Sequence, residues 1–161
     1  MRLSLRTDYA LRAMIYLAIR RGDGPRTIAE VSRVEKTPRE FTAKVLRDLC
    51  RLGFLNSMLG SRGGYRLARP PNEITVLEVM EALDGPLAIN KCLADPSFCS
   101  HTPGCRMHRL FRVANEKMRE VLGGSTIADI AADNTEGDDL EAAIQLVDRH
   151  TGAQREQPTH I

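Results

Sequence analysis

The stretch FLNSMLGSRGGYRLARP, residues 54–70, decides the fold. Two short runs with Leu, Met and Tyr flank GSRGG, whose glycines give the backbone the freedom a tight reversal needs. The segment reads as a β-hairpin with its tip near Arg62 and Gly63. Immediately upstream, Phe41, Val45, Leu49 and Leu52 recur at helical spacing and end at Gly53, a natural left-handed stop. The opposite side of that helix carries Arg39, Thr42, Lys44, Arg47 and Arg51. Thr37 with Pro38 and Glu40 marks its start as a capping box, and Thr27 with Glu30 opens a shorter helix reaching about Val34. An amphipathic helix over about Ser4–Arg20, carrying Leu5, Tyr9, Ala13, Tyr16 and Leu17, precedes both and stops at GDGP. Three helices followed by a hairpin is the element order of a winged helix-turn-helix.

Composition agrees with a helical domain. Apolar residues are 42% of the 161, yet aromatics are only 4% and Trp is absent, which suits Leu- and Ala-rich helix packing better than a sandwich or barrel. ALRAMIYLAI, residues 10–19, is too short to span a bilayer, follows Asp8 and has no small-residue cleavage pattern after it. The expectation is a cytoplasmic protein with no membrane partner.

A net charge of +2 conceals an asymmetry. Residues 1–71 carry 15 Lys and Arg against 6 Asp and Glu, whereas residues 72–161 carry 8 against 15. Thirteen of the 15 are Arg, whose planar fork matches phosphates and guanine edges. Charge alone would equally describe a solvated basic face. Joined to the element order, it points to double-stranded DNA, with Arg39, Thr42, Lys44 and Arg47 in the major groove and Arg62, Gly63 and Arg66 of the wing on the adjacent groove.

The remainder divides in two. Over residues 72–134, Thr75 with Glu78 opens a helix ending at LDGP, a cysteine-bearing loop follows, and a long helix runs from about Cys105 to Leu122. Leu110, Ala114, Met118, Val121 and Leu122 form one stripe on that helix, with little left in the chain to cover it. The expectation is a homodimer formed by this helix and reading a near-palindromic operator; folding back onto the first helix is the alternative. Residues 135–161 are polar and read as a flexible tail with a short helix near Leu140–Val147.

CLADPSFCSHTPGC, residues 92–105, holds three of the four cysteines and reads as neither helix nor strand. Six residues separate Cys92 from Cys99, five separate Cys99 from Cys105, and His108 follows after two more. Zinc knuckles use pairs two to four residues apart, and no such pair is present. Wider spacing favours an iron-sulfur cluster, whose irons take ligands at separate corners, over zinc or a metal-free thiol switch, and all three stay open. Cys50, inside the third helix, reads as a small core residue. No nucleotide-binding glycine motif and no nucleophile-base constellation is present, so an enzyme is not expected.

LRTDYALRAMIYLA, GSRGGYRLARP, ITVLEVMEALDGP, FCSHTPGCR and STIADIAADN together resemble the Rrf2 family of winged-helix iron-sulfur regulators over residues 1–134. Within it the likeness is nearest to the nitric-oxide-sensing, NsrR-like subgroup. The resemblance implies a dimeric repressor in which Cys92, Cys99 and Cys105 hold a cluster, 4Fe-4S by preference and 2Fe-2S as the alternative. Asp8, from the partner subunit, stands where the NsrR-like subgroup supplies a carboxylate ligand. His108 stands where IscR-like members supply a histidine. An iron- or cluster-status regulator of the same family is the second functional reading.

Overall fold

A computed structural model describes residues 3–60 and 62–132. The expected tail beyond Asp133 lies outside these residues. Helix α1 (Leu5–Ile19) is opened by Ser4, whose hydroxyl accepts from Thr7 N and donates to Asp84. Helix α2 (Ile28–Val34) starts with the full Thr27–Glu30 capping box. Helix α3 (Arg39–Arg51) follows after a short turn.

The expected box at Thr37 does not form. Pro38 is the cap and makes no side-chain bond, because the Thr37 hydroxyl turns inward to Thr42, 2.6 Å away. At the far end Gly53 takes φ 79°, and Phe54 N bonds Leu49 O, reversing the chain into the hairpin. That turn leaves Leu52 exposed, and Leu46 takes a core position in its stead.

Strands β1 (Leu55–Met58) and β2 (Gly64–Leu67) pair antiparallel with Leu55 opposite Leu67 and Ser57 opposite Tyr65. Arg26, between α1 and α2, adds a rung on the other edge of β2: Arg26 N donates to Tyr65 O at 2.9 Å and Tyr65 N to Arg26 O at 2.8 Å. A Cβ on Gly64 would stand 2.5 Å from the Arg26 carbonyl oxygen, so only glycine lets this rung close.

Helix α4 (Val76–Asp84) is capped by Thr75, but only half of the expected box exists, since the Glu78 carboxylate is taken by Arg69 at 2.5 Å. The cysteine stretch contains more regular structure than its Pro and Gly suggested, with a short helix α5 (Lys91–Ala94) and a 3-10 turn at Pro96–Phe98. Helix α6 (Arg106–Gly124) packs against α4 and α5, while α7 (Ile127–Ala132) returns to α1. Ile127 N bonds Ile74 O and Val76 N bonds Ser125 O, both at 2.9 Å, and this lashes the end of the fold to the start of α4.

One hydrophobic cluster joins Ala10, Met14 and Leu17 of α1 to Val45, Leu46 and Leu49 of α3, to Phe54 and Leu55, and to Ile74, Val79 and Ile127. Each fully buried Leu, Ile or Met side chain contributes roughly 1.5–3 kcal/mol. The core therefore runs across Pro71 without a break, so the winged region and α4 share their packing. Among the described residues no helix is long and apolar enough to cross a membrane.

Candidate functional site: a cationic helix face and a cysteine loop

The outer face of α3 and the hairpin enclose an open groove of about 530 Å³ lined by Lys44, Arg47, Arg51, Asp48, Cys50, Ser57 and Tyr65. Arg39, Lys44, Arg47 and Arg51 are exposed, as are Arg62 at the tip and Arg66 on β2. Thr42 is not on this face. It is 4% exposed, and its hydroxyl is engaged by Thr37 and by the Pro38 carbonyl at 3.1 Å. Gly63 serves the turn itself, because a Cβ there would meet Met58 O at 2.3 Å.

Asp48 was not singled out in the sequence. It is buried in α3, where Arg6 of α1 and Arg51 bind its two oxygens. Burial opposes its charge, but the Arg51 and Arg6 guanidinium groups outweigh that cost and hold the carboxyl below the ordinary Asp range. The only cue was Arg51 at i+3, which gives no sign of burial. Cys50 is half-buried, and burial pushes its thiol up, as fits an unreactive packing residue.

The cysteine loop is organised by the N-terminus of α6. Cys105 is the cap of that helix, its Sγ accepting from His108 N at 3.4 Å. His108 Nδ1 lies 3.5 Å from Cys92 Sγ, so His108 touches Cys92 through its ring and Cys105 through its backbone. Cys92, Cys99 and Cys105 are all half-buried free thiols. Among the described residues no three His, Cys, Asp or Glu side chains are close enough to share one metal ion. A tetrahedral zinc site, with Zn–S near 2.3 Å, needs its donors within about 4 Å of one another.

Asp8 stands apart from this cluster within the chain. It sits in the first turn of α1 and pairs with Arg12 at 3.2 Å. Glu35, at the end of α2, completes this charged group; burial pushes its carboxyl up, Arg12 opposes the shift and Asp8 adds to it.

Among the described residues the apolar stripe of α6 is covered only in part: Met118, Val121 and Leu122 are half-buried, whereas Leu110 and Ala114 are exposed. Leu110 is 59% exposed, Val113 and Met107 are also exposed, and the helix buries only Asn115. Helix α6 does not fold back onto α1 as the alternative had it, because α7 occupies that place.

These features define a winged helix-turn-helix regulator carrying a thiol-rich loop. The family profile described as "Rrf2: Iron-dependent Transcriptional regulator" matches residues 3–133, and the chain belongs to that family of transcriptional regulators. The fold is similar to that of CymR (YrzC), the global cysteine regulator of B. subtilis, with TM-score 0.71 and 25% identity over 82% of this chain and 97% of that one. T. potens IscR matches with TM-score 0.68 and 22% identity over 89% of this chain and 96% of that one. The oxidized form of Staphylococcus aureus CymR matches with TM-score 0.69 and 22% identity over 84% and 99%.

Proposed function

We propose that the protein is a homodimeric DNA-binding repressor in which Cys92, Cys99 and Cys105 hold a 4Fe-4S cluster, and in which loss of that cluster to nitric oxide releases a near-palindromic operator. The observation that carries this reading is the position of Cys105. It supplies a candidate thiolate and at the same time caps α6, the helix whose exposed apolar residues Met107, Leu110 and Val113 suit pairing with a second copy. A change at the loop therefore acts directly on the element that would set the spacing of two DNA-reading faces. When bound, such a cluster supplies an iron with no thiolate ligand, which is open to a small diatomic molecule.

This chain's residues divide the work. Arg39, Lys44 and Arg47 contact bases and phosphates in the major groove, Arg62 and Arg66 hold the flanking backbone, and Thr42 and Gly63 support that surface from within. For the fourth ligand, the Cys92 contact supports His108 of the same chain, whereas Asp8 would have to reach the loop from the partner subunit. The His108 contact also favours a second reading, an iron- or cluster-status regulator, since histidine is the ligand that IscR-like members are expected to use.

Anaerobic purification followed by iron, sulfide and zinc analysis tests the cofactor. Broad visible absorbance with near-equal iron and sulfide, lost when any of the three cysteines becomes Ser, is expected. Colourless protein with stoichiometric zinc would replace this reading by a zinc-stabilised one, and metal-free protein by a thiol switch. Replacing Asp8 and His108 separately by Ala and following the visible circular dichroism identifies the fourth ligand.

A further inference from the structure

We propose that Asn115 is a positioning residue that locks the Cys92 end of the loop to α6, so that the helix sets the relation between Cys92 and Cys105. The inference rests on the cluster reading above for its consequence, though not for its geometry. Asn115 is the one residue of α6 that is buried, and it is polar. Both ends of its carboxamide are used: Oδ1 accepts from Ile89 N at 3.1 Å, and Nδ2 donates to Leu87 O at 3.0 Å.

Residues 85–90, which join α4 to α5, are neither helix nor strand. Their backbone groups must therefore find partners elsewhere. Asn115 satisfies two of them, and Glu81 of α4 accepts from Leu87 N at 2.8 Å. Glu81 is itself fixed by Arg119, one turn along α6 from Asn115, whose Nη2 donates to Oε2 at 3.2 Å. The Arg119 hydrogen bond holds the Glu81 carboxyl below its ordinary range against the opposing effect of burial, and Leu87 N adds to the lowering.

From Ile89 the chain is already at the site. Asn90 caps α5 through Lys91 N at 2.8 Å, and Cys92 is the second residue of that helix. At the loop's other end Cys105 caps α6, ten residues before Asn115, or about 15 Å of helix. Both ends of the ligand loop are thus attached to one rod. A rigid frame of this kind holds ligands pre-organised for a metal group, and its loss lets one of them swing away.

The amide, with a donor at one end and an acceptor at the other, satisfies both Leu87 O and Ile89 N. Asn115→Leu fills the space and leaves both backbone groups unpaired. Asn115→Asp keeps the acceptor but sets a carboxylate against Leu87 O, and protonation restores the missing donor.

The test uses the full chain. In the apo protein, loosening of the linker is expected in both variants: amide exchange at Ile89, and with it at Leu87, whose N–H is held by Glu81, rises about tenfold or more, with α1 and α3 amides unchanged. In Asn115→Asp the protection factors should recover as pH is lowered, which loss of packing alone would not produce. In cluster-loaded protein, transfer of iron to a chelator should be about tenfold faster or more, with DNA affinity of the intact holo form retained. Should Asn115→Leu fail to fold, Glu81→Leu frees Leu87 N from the other side and is expected to act in the same direction. Unchanged exchange at Leu87 and Ile89, or raised exchange with wild-type rates of iron loss, overturns the proposal. Wild-type protein that binds no iron overturns the cluster reading instead, and the apo exchange data then show Asn115 as a clamp without a ligand role.

Discussion

Arg6, in the first turn of α1, donates from Nε to Oδ2 of the buried Asp48 in α3 at 2.9 Å. Its Nη1 also reaches the Leu83 carbonyl near the end of α4 at 3.2 Å. One guanidinium thus joins α3 to α4, the helix that leads into the cysteine loop. Replacing Arg6 by Ala leaves a buried carboxylate with only the exposed Arg51, and should cost about 2 kcal/mol in urea unfolding. A loss under about 0.5 kcal/mol would show that Arg51 alone is sufficient.

The same pair sets an acid limit. A carboxyl held below its ordinary value contributes stability above the unfolded-state value of about 3.9, and that stability is lost as pH falls through the lower folded value. The melting temperature of the wild type should therefore fall more steeply below about pH 4 than that of Asp48→Asn, which lacks this titration. Parallel curves would contradict the pairing.

On α3, Arg47→Ala should weaken operator binding by about 1–3 kcal/mol and relax sequence preference, whereas Arg62→Ala and Arg66→Ala should each lower the salt slope by about one. Thr42→Val should leave the DNA contacts intact while costing about 1 kcal/mol of stability, because its hydroxyl serves Thr37. Gel-shift titrations at several salt concentrations, with unfolding curves alongside, separate the two effects.

Gly64→Ala brings a Cβ to 2.5 Å from Arg26 O and must break the rung between Arg26 and Tyr65. The expected result is a loss of about 2 kcal/mol or more, with faster exchange at Tyr65 N and weaker DNA binding through a displaced wing.

Leu110→Glu places a charge on the exposed part of the α6 stripe and should give a monomer mass by light scattering at micromolar concentration, where the wild type is expected to give a dimer. A variant that stays dimeric would move the interface elsewhere.

The winged architecture was legible because its signals are local. The Thr27–Glu30 box, the Gly53 stop and the glycine-rich hairpin each report a few adjacent residues. Where long-range partners decide, the pattern misled. Thr42 falls on the polar side of α3 by spacing, yet Thr37 draws it inward, and Glu78 gives up its box to Arg69 nine residues earlier. The crowding of cysteines was legible from spacing, and the structure brings two of them, Cys92 and Cys105, against His108. The pieces that hold them were not, since Asn115, Glu81 and Arg119 look like ordinary polar helix residues until α4 and α6 are packed together. Asp48 escaped notice for the same reason, its main partner lying 42 residues away.

The most direct test of the whole account is an anaerobic titration of the cluster-loaded dimer with nitric oxide, following visible absorbance and operator affinity in the same samples. The account predicts that affinity falls about tenfold or more in step with the bleaching of the cluster, and that protein with Cys92, Cys99 and Cys105 all replaced by Ser shows no response to nitric oxide. Operator affinity that stays constant while the cluster is destroyed would contradict it.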